Sequence, residues 1–253
     1  MLKGMIRKFL LALIVISFTS VTLLQAQPQS SPPDGIERLI KAADQYYTLD
    51  DKLINGFIYP MPDSRIKGNP WLGTREWSEG TIYIGDDLYE NLMLKYDITE
   101  GDLILKARFG EGTYKVLELP YPRVDSFRLG NDLFVRSDKF ATKEEEPFYY
   151  EQIMDNGLTF VRRHIKHFVS KYDDLSPYGL FSETQTNNYF IDSGKRTQVD
   201  RRGQFIRYFK KPTRKAIRRY IRQNNIRYGR ASSSELKDLL RYCNELIFPE
   251  KNQ

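Results

Sequence analysis

An α+β fold is what this sequence predicts: an antiparallel meander sheet or open barrel, a short N-terminal helix and a basic C-terminal helical pair. Three observations predict it. From Trp77 to Val169 short apolar runs alternate with Gly- and Asn-containing turns. Aromatic residues abound, with 17 Tyr and 15 Phe, as pleated surfaces favour. After Gln204 the pattern switches to the spacing of helices.

The first 26 residues read as a signal peptide. Lys3, Arg7 and Lys8 precede an apolar run from Phe9, and Leu24-Gln25-Ala26 ends in a small residue. The run is diluted by Ser17, Thr19, Ser20 and Thr22, so cleavage is expected rather than a spanning anchor. The mature chain of about 227 residues is then exported, periplasmic or extracellular, and is not an integral membrane protein. Residues 27–33 form a Pro/Ser-rich linker. Residues 34–175 carry the N-terminal helix and the β domain, and residues 176–253 a hairpin and the helical tail.

Element by element, Asp34 with Glu37 opens a helix on Ile36, Leu39, Ile40 and Ala43 that reaches about Tyr47. Asn55-Gly56 is a hairpin signal, and 60–70 a loop. Strands are expected at 81–84, 89–96, 102–108, 113–119, 124–129, 132–136, 148–154 and 158–169. Asn156-Gly157 suits a type I′ turn, whose two central residues need positive φ. Strands so closely spaced leave no room for crossover helices. A hairpin follows at 188–191 and 196–200, turned at Ser193-Gly194. Gln204–Phe209 is a helical turn or two stopped by Pro212. Thr213–Gln223 carries Ile217, Tyr220 and Ile221 on one stripe, and Ser232 with Glu235 caps a last helix reaching Ile247. Cys243 falls in the stripe of Leu236, Leu239, Leu240 and Ile247 and reads as a buried thiol.

Several of these blocks carry a resemblance. Trp77-Ser78-Glu79-Gly80-Thr81-Ile82-Tyr83, then Tyr89-Glu90-Asn91-Leu92 and Leu94-Lys95-Tyr96-Asp97, resemble the opening of a large family of exported proteins from Bacteroidota. Phe148-Tyr149-Tyr150-Glu151, closing on Asn156-Gly157, is similar to that family's next block, and Tyr242-Cys243-Asn244-Glu245-Leu246 to its C-terminal part. The resemblance implies location and architecture, and brings no catalytic residues with it.

Signals for chemistry are sparse. His164 and His167 lie three apart in an expected strand, so they point to opposite faces, and no metal or cofactor is expected. There is no nucleophile elbow, Walker loop or dinucleotide fingerprint. Acid pairs occur at Asp50-Asp51, Asp86-Asp87 and Asp173-Asp174, and Trp71 and Trp77 could stack on a sugar, which keeps an envelope glycan hydrolase as the alternative to a non-enzymatic protein.

Charge is distributed unevenly. Arg201 to Arg230 holds twelve Lys or Arg and no acid. The chain is +6, and the signal peptide removes Lys3, Arg7 and Lys8, leaving +3. The rest of the mature chain therefore carries −9 against this segment's +12. Arg214, Lys215, Arg218, Arg219 and Arg222 form either the solvated face of an amphipathic helix or a surface for an anionic partner. That partner would be an envelope surface or an acidic protein, and not nucleic acid, for which no motif is present. The leading expectation is an exported, non-enzymatic binding or assembly module of the cell envelope.

Overall fold

The computed structural model describes residues 53, 56–109, 112–140, 148–170, 172, 174 and 176–248. The expected signal peptide, linker and N-terminal helix lie outside the described residues, as does Asn55. Contacts divide the chain between Tyr47 and Thr48, and every described strand and helix belongs to the unit from Thr48 to Gln253.

Eleven antiparallel strands form one open sheet, and two more form a separate pair. In chain order the strands are β1 (Phe57–Ile58), β2 (Ser78–Ile84), β3 (Asp87–Asp97), β4 (Asp102–Phe109), β5 (Thr113–Leu119), β6 (Ser126–Leu129) and β7 (Asp132–Arg136). Then come β8 (Tyr149–Asn156), β9 (Leu158–Ile165), β10 (Phe168–Val169), β11 (Leu180–Phe181), β12 (Gln185–Asp192) and β13 (Lys195–Gln198). The sheet order is β1-β5-β4-β3-β2-β6-β7-β8-β9-β12-β13, a meander on either side of the β2–β6 junction. The sheet is antiparallel, as expected, and does not close on itself.

Cross-strand rows build its cores. Leu94, Leu105 and Leu117 face one another across β3, β4 and β5, as do Tyr96, Leu103 and Leu119. Ile82, Phe127 and Phe134 continue the buried face across β2, β6 and β7, with the Phe127 and Phe134 rings stacked at 5.0 Å. The sheet curls: the Tyr96 hydroxyl on β3 accepts from Tyr149 N on β8 at 2.9 Å, although β2, β6 and β7 lie between those strands. Gly80 sits at a register shift in β2, where an added Cβ would meet Arg128 O at 2.3 Å, so no side chain fits.

Three helices follow, the expected pair preceded by a helix where a turn or two was expected: α1 (Arg202–Tyr208), α2 (Lys211–Gln223) and α3 (Ser233–Ile247). Pro212 does not stop a helix but lies in the first turn of α2, where its missing N–H costs nothing. Ile217 and Ile221 of α2 and Leu236, Leu239, Leu240 and Cys243 of α3 bury against Ile153, Phe160 and Phe190 of the sheet. Ile247, expected on that stripe, is exposed. Cys243 is fully buried, and burial pushes its thiol up to about 12.

Two local expectations are corrected. At Asn156-Gly157 only Gly157 has positive φ, so the turn is not type I′; a bulge at Ile153 shifts the β8–β9 register instead. Ser193 and Gly194 both have positive φ, at 49° and 77°, as type I′ requires. The strand expected to run to Val169 leaves the ladder after Ile165. Lys166 turns inward there, its N–H bonding Ile98 O and its ammonium bonding the carbonyls of Asn69 and Trp71.

Candidate functional site

A cleft of about 480 Å³ opens between α1, α2 and the segment after α2. Its walls carry Arg202, Arg218, Arg222 and Arg227, and its floor is Ile206, Ile221 and Ile226. Local rules explain the convergence. Arg218 and Arg222 are four apart on α2 and share a face. The helix ends in a Schellman reversal: Asn225 takes the left-handed conformation (φ 51°), Ile226 N bonds Ile221 O at 3.0 Å, and Asn225 N bonds Arg222 O at 3.2 Å. That reversal folds Arg227 back beside Arg222. Arg202 enters from the first turn of α1, which Gln204 Oε1 helps to cap by accepting from Arg201 N.

All four residues are exposed, and none of their guanidinium groups has a hydrogen-bond or ion-pair partner among the described residues. Four like charges face one another across a concave surface with no carboxylate between them. Such a cleft, with an apolar floor of low dielectric, concentrates positive potential.

Of the five basic residues singled out in the sequence, Arg218 and Arg222 line this cleft. Lys215 and Arg219 are exposed and lie outside it. Arg214 is half-buried and turned back on α1: its Nε donates to Phe209 O at 2.7 Å and its Nη2 to Arg207 O at 2.9 Å. It closes the end of α1. Arg202 and Arg227 were not distinguished by sequence, because helical spacing along α2 says nothing about the flanking segments that fold back onto it.

A second constellation is buried. Glu151, Arg162 and Asn188 oppose one another across β8, β9 and β12, in the row that begins with Phe134 on β7. Glu151 Oε2 lies 2.7 Å from His164 Nε2 and 3.9 Å from Arg162 Nη1, and Ser233 donates its hydroxyl to Glu151 Oε1. Arg162 also donates to Asn188 Oδ1 and, at α3's leading edge, to Ala231 O, both at 3.0 Å. Burial alone would raise the Glu151 pKa, but His164, Ser233 and Arg162 together hold it below the ordinary carboxylate value. Serine, histidine and acid meet here in an order unsuited to nucleophilic catalysis. The carboxylate, rather than the imidazole, contacts the hydroxyl, so no base of the serine-hydrolase kind stands beside it. The other ring nitrogen, His164 Nδ1, is buried without a partner among the described residues. His167 lies beyond the end of β9 and is exposed.

The remaining candidates fall apart in space. Trp71 and Trp77 both face the Lys95 ammonium, with ring centroids at 3.7 and 4.7 Å, and Lys95 also donates to Arg75 O. Their faces are occupied by a cation. Asp86 and Asp87 lie at the β2–β3 turn and Asp174 in a separate exposed turn; Asp50, Asp51 and Asp173 lie outside the described residues. A closer pair has no signature in the sequence: Asp97 and Asp102 oppose each other across β3 and β4. Asp97 accepts from the Tyr59 hydroxyl at 2.5 Å and from Thr99 N at 2.9 Å. Burial, then the nearby Glu118, Asp97 and Glu100, raise Asp102 to about 7. Among the described residues no group of three or more His, Cys, Asp or Glu is placed to hold a metal ion, and no helix is long and apolar enough to cross a membrane.

No protein family matches this chain, and comparison with curated proteins and with solved structures finds no match.

Proposed function

We propose that this is an exported, non-enzymatic cell-envelope protein that binds an anionic partner through the arginine cleft of its C-terminal helices. The observation that carries the reading is the set of four unpaired guanidiniums, Arg202, Arg218, Arg222 and Arg227, around one concavity. Charge of one sign, unneutralised within the fold, favours an anion strongly, and the arginine fork suits phosphate and carboxylate oxygens. The signal-peptide pattern of residues 1–26 and the resemblance to exported Bacteroidota proteins support the location.

The test is affinity capture of the mature protein from native envelope at low and high salt. A partner that leaves at high salt, and is not captured by a variant with Arg202, Arg218, Arg222 and Arg227 replaced by Gln, supports the reading. Capture unaffected by those replacements overturns it.

One observation favours the alternative, a glycan hydrolase. Asp102, held near neutrality beside Asp97, has the protonation behaviour of a general acid. Hydrolysis of purified peptidoglycan by the wild type, abolished in Asp102→Asn, would establish it. The face of Trp71, which lies beside Asp97, is covered by Lys95 and weighs against it.

A further inference from the structure

We infer that the arginine cleft selects a ligand bearing two adjacent phosphoryl groups, a diphosphate or its ester. This rests on the binding role proposed for the same site and names the chemistry it takes.

Shape argues first. A flat membrane or acidic protein surface is best met by an exposed, convex basic face, whereas these four arginines surround a hollow of about 480 Å³. That volume lies in the range of small-molecule sites. Charge stoichiometry argues next. A phosphoryl group presents its oxygens to two guanidinium forks in bidentate fashion, so four forks match two such groups. One phosphate would leave two of the four arginines uncompensated, and one carboxylate three. The distribution of the four residues fits too: Arg218 and Arg222 approach from α2, Arg202 from α1 and Arg227 from the reversed segment beyond Asn225. The floor of Ile206, Ile221 and Ile226 is apolar and Asn225 is the one uncharged polar residue of the lining, so recognition falls chiefly on the phosphoryl oxygens.

Inorganic pyrophosphate is the probe, titrated calorimetrically into the full mature protein beside inorganic phosphate, a poly-glutamate peptide, and phosphatidylcholine vesicles carrying phosphatidylglycerol. Pyrophosphate is expected to bind at least about tenfold more tightly than phosphate, with Arg218→Gln and Arg222→Gln each costing about tenfold. Lys215→Gln with Arg219→Gln, which removes outside the cleft as much charge as the two cleft replacements combined, is expected to cost less than about threefold. All these side chains are exposed, so the variants keep the fold, checked by an unchanged circular dichroism spectrum. Equal losses from both pairs, or equal affinity for phosphate and pyrophosphate, overturn the inference. Vesicle or peptide binding lost with the cleft arginines, with none to pyrophosphate, also overturns it and leaves the anion-binding role standing. No binding to any probe defeats both. Pyrophosphate binding without binding to phosphatidylglycerol, whose headgroup carries one phosphodiester, supports the inference; binding of both, lost alike with the cleft arginines, shows that adjacent phosphoryl groups are not required and overturns it.

Discussion

At the scale of single residues, two acids are shifted in opposite directions, Glu151 fully buried and Asp102 half-buried. The folded-state pKa of Glu151 lies below its ordinary 4.5. Its contribution to stability is therefore complete above about 4.5 and is lost as pH falls through the depressed value. Glu151→Gln leaves Arg162 buried without its charge partner, and is expected to cost about 3 kcal/mol at neutral pH. It should also flatten the acid limb of a plot of urea midpoint against pH. Asp102 behaves inversely. Its pKa rises from 3.8 to about 7, so the folded state holds the proton more tightly, and stability drains away as pH climbs through that interval. Asp102→Asn should raise the urea midpoint at about pH 8 and change it little near pH 4; a drop at the higher pH would show that its charge is compensated. Neither acid was visible in the sequence. Glu151 and His164 are thirteen apart, and only a hairpin register altered by the bulge at Ile153 brings them together. Arg218 and Arg222 were legible, because four-residue spacing on a helix is a local fact.

At the scale of elements, most of the strands could be read directly. The runs expected at 102–108, 113–119 and 132–136 lie within a residue of β4, β5 and β7. Glycine turns and alternating burial are local signals and suffice there. The last helix was legible for the same reason. Ser232 accepts from Glu235 N at 3.2 Å, and Glu235 accepts in turn from Ser232 N at 2.8 Å. Ser232→Ala should lower stability by about 1 kcal/mol, measurable as a urea-midpoint shift at constant slope. A larger loss would mean that the cap also positions Ser233 and Ala231 against Glu151 and Arg162. The early end of β9 was not legible, since Phe168-Val169 continues its apolar pattern and only the distant carbonyls at 69–71 draw Lys166 out of the ladder.

At the scale of the whole unit, curling is the property the sequence conceals. Alternation places Tyr96 and Tyr149 on buried faces but cannot say that strands so far apart in the sheet order meet. Lys166 contributes to the same closure. Its ammonium, buried and tied to three acceptors on Asn69 and Trp71, joins the end of β9 to the loop lying over β3–β5. Burial lowers its pKa, yet the three carbonyl-type acceptors keep it solvated by protein. Lys166→Met should cost about 3 kcal/mol by stranding those acceptors, a fall in Tm of about 6–12 °C by calorimetry. An unchanged Tm would mean that water replaces the ammonium without cost.

The row Phe134–Glu151–Arg162–Asn188 has one further consequence. It runs between two apolar cores, with Tyr149 on one side and Ile153 and Phe160 on the other. Greasy side chains tolerate sliding past one another, and an eleven-stranded sheet offers many near-equivalent alignments. A slip of β9 by one residue would turn Arg162 to the opposite face and strand the Glu151 charge in a dry interior. The ionic row thus acts as a tumbler in a lock: it penalises misaligned sheets more than it rewards the native one. Replacing the whole row by apolar residues of similar size, which strands no charge, would show less in the folded molecule than in the yield of correctly refolded chains.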